Sequence, residues 1–314
     1  MTKYDVIIIG GGPAGLSAGI YCSRRSLKTL ILAKSIGGQA AYAPEIENYP
    51  GIDSISGGML SSKFYSQAVK FGAKVLNEEV KAISKKEGFI VETNINKYHA
   101  SSVILAFGKT PQDLGVPGET DFQGKGVSYC ATCDSLFFKE KIVAVIGGGN
   151  SAIESALLLA NTSKKVYLIH RRDEFTAEKI LVDQIKQNPK IEIILNTVVV
   201  KISGNQVVKA ITIEDTVKNT QKSLDLSGIF VEIGFRVKAD FVKELVELDN
   251  RQQIVVDCNN NTKTKGLFAA GDATNIHYKQ IIIACGEGAK SALSCYDYIM
   301  ELRGKTGVYS KNNY

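Results

Sequence analysis

An α/β fold of two three-layer (β/β/α) domains, the second inserted into the first, is predicted by three observations. A β-branched apolar run leads into a glycine turn at Gly10, and the same pattern returns at Gly147. Far downstream, a short apolar run ends on Gly271-Asp272 and is followed by a long stretch with helical patterning. The length of 314 residues suits two domains at about 150 residues each.

The first element is Tyr4-Asp5-Val6-Ile7-Ile8-Ile9, apolar and β-branched like a strand buried on both faces. Gly10-Gly11-Gly12-Pro13-Ala14-Gly15 follows in GxGxxG spacing. In that pattern the first glycine permits a tight turn, the second lets the backbone approach a pyrophosphate, and the third lets the helix pack close to the strand. A helix over about 14–26 would aim its free N–H groups and positive dipole end at the pyrophosphate. Residues 28–33 read as the next parallel strand. The arrangement recurs as a strand over 141–146, Gly147-Gly148-Gly149-Asn150-Ser151-Ala152 in GxGxxA spacing, a helix over about 151–161 and a strand over 165–169. One such loop is a weak motif; two, each between a strand and a helix, predict two Rossmann-like dinucleotide-binding domains.

The second strands end differently. An NAD site carries Asp or Glu about 20 residues beyond the loop, to bond the ribose 2′-OH. In the second copy that place holds His170-Arg171-Arg172, cations suited to a 2′-phosphate, so this domain should favour NADPH. In the first copy Leu32-Ala33-Lys34 offers no acid, which leaves the ribose contact there unassigned. Near the C-terminus, 267–270 forms a short strand into Gly271-Asp272, where a carboxylate can accept a hydroxyl from a cofactor chain or simply mark a turn. A helix over about 279–302, apolar on one side, returns the chain to the first domain. The expected organisation is 1–112 and 239–314 as the first domain, with 113–238 inserted.

Composition excludes other classes. Lys and Arg number 38 against 32 Asp and Glu, a net +6, but the charges are interspersed without a basic stripe, so nucleic acid is not an expected partner. No run approaches the ~20 apolar residues that span a bilayer, and Val6–Ile9 is too short for a secretory core. Six cysteines are too sparse for a disulfide framework, so a reducing, cytoplasmic setting is expected. There the one close pair, Cys130-Ala131-Thr132-Cys133, reads as redox chemistry or metal binding. Zinc needs two further ligands; His99, His170 and His277 are scattered and no second CxxC exists, so no metal is expected. A cycling dithiol/disulfide is preferred, since attack at one sulfur releases the other. Asp134 beside the second thiol is either a general acid/base or an exposed turn residue.

These motifs together resemble the low-molecular-weight thioredoxin reductases, flavoproteins of the pyridine nucleotide–disulfide type, over essentially the whole chain. The marks are Gly10 to Gly15, Gly37-Gly38-Gln39, Glu47-Asn48-Tyr49-Pro50-Gly51, Cys130 to Asp134, Gly147 to Ala152, His170-Arg171-Arg172 and Gly271-Asp272. The resemblance implies FAD on the first domain, held by Gly10, Gly12, Pro13, Ala14, Gly15, Gly38, Gln39, Asn48, Gly108, Gly271, Asp272, Lys279, Gln280 and Ile281. It implies NADPH on the second, at Gly147, Gly149, Asn150, Ser151, Ala152, His170, Arg171 and Arg172. It also implies a homodimer and a thioredoxin-like protein substrate. By residue type alone Asn48 is a turn residue, Asn150 a helix N-cap, His170 a hydrogen-bonded strand end and His277 an exposed residue before the last helix.

Two departures stand out. The family often has a third arginine where this chain has Thr176, so NADH is expected as a weaker donor. The stretch from Tyr278 to Lys290 is more similar to the flavoprotein subunit of alkyl hydroperoxide reductase, which keeps a peroxiredoxin system or another electron donor as an alternative. A dinucleotide-binding redox sensor is the non-enzyme alternative, separated by continuous NADPH turnover. Because nicotinamide, disulfide and a bulky partner must each be served, the inserted domain is expected to rotate about connections near 110–114 and 234–239.

Overall fold

The computed structural model describes residues 3–43 and 45–305. The chain divides into two compact units, Met1–Thr110 with Val237–Tyr314, and Pro111–Arg236.

The first unit opens with β1 (Lys3–Gly11), α1 (Pro13–Arg24), β2 (Thr29–Ile36), α2 (Gly57–Lys70), β3 (Lys74–Asn77), β4 (Val80–Lys86), β5 (Gly88–Thr93) and β6 (Lys97–Leu105). β3, β2, β1 and β6 run parallel, and β5 and β4 extend the sheet antiparallel. The α1 helix starts at Pro13, where a missing N–H costs nothing, and stops at Arg24, short of the expected 26 because Ser26 takes a positive φ of 58°.

The connection β7 (Thr110–Pro111) leads to the second unit. Its elements are β8 (Val127–Ser128), α3 (Ala131–Asp134), β9 (Ile142–Ile146), α4 (Asn150–Thr162), β10 (Lys165–Ile169), α5 (Lys179–Gln187), β11 (Ile191–Ile194), β12 (Thr197–Gly204), β13 (Val208–Asp215), β14 (Thr220–Asp225) and β15 (Gly228–Val231). The parallel order is β11-β10-β9-β15-β8, and β12-β13-β14 form a separate antiparallel sheet. Apolar side chains of β9 alternate faces: Val143 and Val145 pack with α4 and α5, whereas Ala144 and Ile146 pack with β12 and β13. That two-sided burial is why the strand reads as continuously apolar.

The chain leaves through β16 (Phe235–Arg236), which pairs with β7. It then adds β17 (Leu267–Ala269) to the C-terminal half of β6, and α6 (Ile281–Leu302) packs on α1. The last helix begins at Ile281, not 279, because Gln280 is extended at its N-cap. Among the described residues, no helix is long and apolar enough to cross a membrane.

Candidate dinucleotide and disulfide sites

The first glycine turn is shaped by close approaches. Gly10 has φ of 118°, and a Cβ there would overlap the Ala106 carbonyl. Gly15 packs so that a Cβ would overlap the Gly10 carbonyl, which holds α1 against β1. Gly12, by contrast, faces open space, with only the Gly37 carbonyl at 4.0 Å from a Cβ position. No side chain caps α1. Uncapped N–H groups at the helix start, next to the open space at Gly12, fit a pyrophosphate, so the turn suits FAD.

Residues far apart in sequence gather around that cradle. The Asn48 Nδ2 donates to Gln280 Oε1 at 3.2 Å, and Gln39 Nε2 donates to the Lys109 carbonyl at 2.7 Å, next to Gly108. Gly38 follows Gly37 into the short 3-10 turn Gly38–Tyr42. Gly271 and Asp272 form a 3-10 turn whose Gly271 lies against Ala14. Ala14 is also crossed by Gly288 of α6, where a Cβ would overlap the Ala14 carbonyl. The Lys279 ammonium donates to the Thr274 carbonyl at 2.7 Å and lines a cavity of about 420 Å³ with Lys109, Arg251 and His277. Burial and the Lys109 charge push it below the usual lysine range. His277 is exposed ahead of α6. The acid missing from the end of β2 is not replaced locally: Lys34 there pairs with Glu79 at 2.6 Å, and Glu79 also holds Lys81.

In the second unit the glycine turn is clasped by the segment after β10. The His170 ring lies against Gly148, so that a Cβ there would overlap the imidazole, and it stacks on Phe175 with centroids 5.5 Å apart. Burial pushes His170 below the usual histidine range, and its Nε2 has no hydrogen-bond partner among the described residues. Arg171 and Arg172 are exposed. Asn150 is not the N-cap; Gly149 is, and Asn150 is the first residue of α4. Its side chain is used across the turn instead, donating to Glu178 Oε1 at 3.0 Å and accepting from the Glu178 N–H at 2.9 Å. Ser151 and Ala152 continue α4, with Ala152 fully buried. Again no side chain caps the helix. An uncapped N-terminus, with two exposed arginines directly after the His170 whose ring lies against Gly148, fits a nucleotide carrying a 2′-phosphate.

Cys130 and Cys133 form a disulfide, with Cα atoms 5.3 Å apart. It sits at α3, where the Asp134 N–H donates to the Cys130 carbonyl at 3.2 Å. Cys130 and Asp134 are half-buried, and Cys133 is exposed. Just beyond, Leu136 and Phe137 are 76% and 73% exposed. Among the described residues, no group of three or more His, Cys, Asp or Glu side chains could hold a metal ion.

A disulfide and a glycine turn share one unit, and a second glycine turn lies in the other. A family model described as pyridine nucleotide-disulphide oxidoreductase matches residues 4–291. The chain belongs to that family. Among its relatives, a thioredoxin reductase of Helicobacter pylori is 42% identical to this oxidoreductase over 306 residues, 94% of this chain and 98% of the relative. A thioredoxin reductase of Bacillus subtilis is 40% identical over 303 residues, 96% of each. Among solved structures, Lactococcus lactis thioredoxin reductase matches with a TM-score of 0.82 at 35% identity, covering 95% of this chain and 100% of that one. The structure of T. acidophilum thioredoxin reductase matches at 0.78 and 38% identity, covering 96% and 100%.

Local sequence patterns pass over several residues of this oxidoreductase. Thr176 reads as an absent arginine, yet its N–H and Oγ1 donate to the Gly148 carbonyl at 2.8 and 3.2 Å. Cys285 of α6 comes to Tyr49; burial pushes its thiol up to about 11 and the tyrosine to about 12. Gly288 carries no motif of its own, although small residues at 284, 288 and 292 on one helix face signal a close helix contact.

Proposed function

We propose that this chain reduces the disulfide of a thioredoxin-like protein with electrons from NADPH, through FAD and the Cys130–Cys133 pair. The observation that carries the reading is the formed CxxC disulfide within the unit that bears the second dinucleotide turn. When bound, FAD supplies two-electron chemistry that links a hydride donor to a disulfide.

The chain's own residues do the remaining work. The N–H groups at the start of α1, with Gly10, Gly12, Pro13, Ala14 and Gly15, hold the FAD pyrophosphate. Gln39, Asn48, Gln280 and Asp272 orient the rest of the cofactor; the first three have side chains already fixed by tertiary hydrogen bonds. Gly147, Gly149 and the start of α4 take the NADPH pyrophosphate, and Arg171 and Arg172 take its 2′-phosphate. Cys130 and Cys133, once reduced, exchange with the substrate disulfide through a mixed disulfide that the second thiol resolves. Asp134, next to that thiol, moves the proton. The inserted unit turns about the paired connections at 110–111 and 235–236. The enzyme works in the cytoplasm as a homodimer. Steady NADPH oxidation dependent on added thioredoxin tests the reading; a single stoichiometric reduction without turnover would replace it with a redox sensor.

A further inference from the structure

One half-buried carboxyl in the second unit has no part in the exchange described above. Glu232 follows β15, whose register sets Ile229 opposite Val127 and Phe230 opposite Ser128 of β8. Glu232 lies two residues beyond Phe230, as Cys130 lies two beyond Ser128. The Glu232 N–H donates to the Ile146 carbonyl at 2.8 Å, which ties its backbone to the strand entering the glycine turn. Its side chain accepts from Ser155 Oγ of α4 at 3.0 Å and from the N–H of Ala131, the residue after Cys130. Burial pushes the carboxyl above the usual range, against the pull of those two donors. The titratable groups on the packed elements are Cys130, Cys133 and Asp134 around α3 and exposed Glu154 on α4. Neither β8, β9, α3 nor α4 carries a cation. Arg236, beyond β15, is paired with Asp113.

We propose that Glu232 is a positioning residue for the redox pair whose charge sets how readily Cys130 and Cys133 become thiolates. The proposal rests on the reading of that pair as the enzyme's dithiol. On reduction the S–S bond breaks, two electrons supplied by the NADPH-dependent activity enter the sulfurs, and two protons from water complete the thiols. Glu232 is chemically unchanged. An ionised carboxylate held on the N–H of Ala131, one residue from Cys130, with no cation on β8, β9, α3 or α4 to offset it, disfavours a second negative charge on the pair. Since the thiolate is the nucleophile, ionised Glu232 holds the dithiol back and protonated Glu232 releases it.

Glu232→Gln keeps an oxygen acceptor for Ser155 and Ala131 and removes the charge. The experiment reduces the purified holoenzyme with a phosphine and follows iodoacetamide alkylation of Cys130 and Cys133 by mass spectrometry across neutral pH. The Glu232→Gln protein is expected to alkylate roughly tenfold faster on the acidic side of the thiol titration, equivalent to about one pKa step. Ser155→Ala, which withdraws a donor from the ionised carboxylate, shifts the profile the same way and serves if the first variant folds poorly. Superimposable profiles for wild type and Glu232→Gln overturn the proposal, as does a profile altered only by Glu232→Ala, which leaves a packing role alone. Alkylation reads the two thiols directly, so the result stands apart from thioredoxin turnover, whose failure in the wild type would instead overturn the functional reading.

Discussion

Thr176 donates twice to the carbonyl of Gly148, from its backbone N–H at 2.8 Å and from Oγ1 at 3.2 Å. The Thr176 hydroxyl, at the position where the family resemblance implies an arginine, is therefore engaged with the glycine turn and is not free to serve as a phosphate donor. On the proposed reading, Arg171 and Arg172 are then the two cations of the HRR segment left for a 2′-phosphate. A charge-assisted hydrogen bond contributes about 1.5–3 kcal/mol, so the missing arginine corresponds to roughly one to two orders of magnitude in preference. NADPH is expected to be preferred modestly, with NADH measurably active. Thr176→Arg should raise the NADPH/NADH ratio of kcat/KM, and Arg171→Ala with Arg172→Ala should erase it. A double variant that kept its NADPH preference would remove this segment as the phosphate site.

The dithiol separates from the hydride step. Cys130→Ser and Cys133→Ser should each abolish thioredoxin reduction while anaerobic NADPH still bleaches the flavin. Disulfide-reductase turnover preserved in both variants would refute the exchange mechanism.

Leu136 and Phe137 expose apolar side chains immediately after the disulfide, while Ser135 and Phe138 on either side of them are buried. An exposed aromatic next to a reactive pair is suited to anchor a protein substrate. Phe137→Ala is expected to raise KM for thioredoxin roughly tenfold, in line with an anchor of more than about 1 kcal/mol. Turnover of a small aromatic disulfide should not change, and an equal loss on both substrates would count against docking.

Gly10 adopts a φ of 118° with a backbone oxygen where a Cβ would stand. Gly10→Ala carries a strain of roughly 1–2 kcal/mol from the left-handed backbone alone, with the Ala106 overlap added. Purified Gly10→Ala should show a lower ratio of visible flavin to protein absorbance and a lower Tm. Gly51→Ala provides the control, because that position also has positive φ but nothing lies within 4 Å of its Cβ.

His170 is held below the usual histidine range by burial. The unfolded chain then takes up a proton near pH 6.5 while the folded one does not. The stability that follows from a neutral His170 is complete above about pH 6.5 and falls as pH drops toward the lower folded value. Tm should therefore decline more steeply on acidification in the wild type than in His170→Gln. Parallel declines would show that His170 is not the group responsible.

Much of the site is legible in the sequence because glycine spacing and β-branched runs are local signals. The strands at 4–9 and 142–146, the helices that follow, and the CxxC can each be read from neighbours in sequence. Helix ends are less legible: α1 stops early at a positive-φ serine, and α6 starts late at an extended Gln280. Asn150 misleads as an N-cap, since its residue type suits a cap whereas its actual partner, Glu178, is 28 positions away.

By itself the sequence determined the α/β class, the two glycine turns between strand and helix and the CxxC pair, because each depends on backbone freedom or thiol chemistry over a few consecutive residues. The tertiary structure alone decided that Asn48 meets Gln280, that Thr176 holds Gly148, and that Glu232 accepts the N–H of Ala131. Those pairings arise from strand register and loop closure across long stretches of chain. A carboxylate at position 232 carries no local mark of its partner; only the parallel alignment of β15 with β8 brings it to the N–H of Ala131, the residue after Cys130.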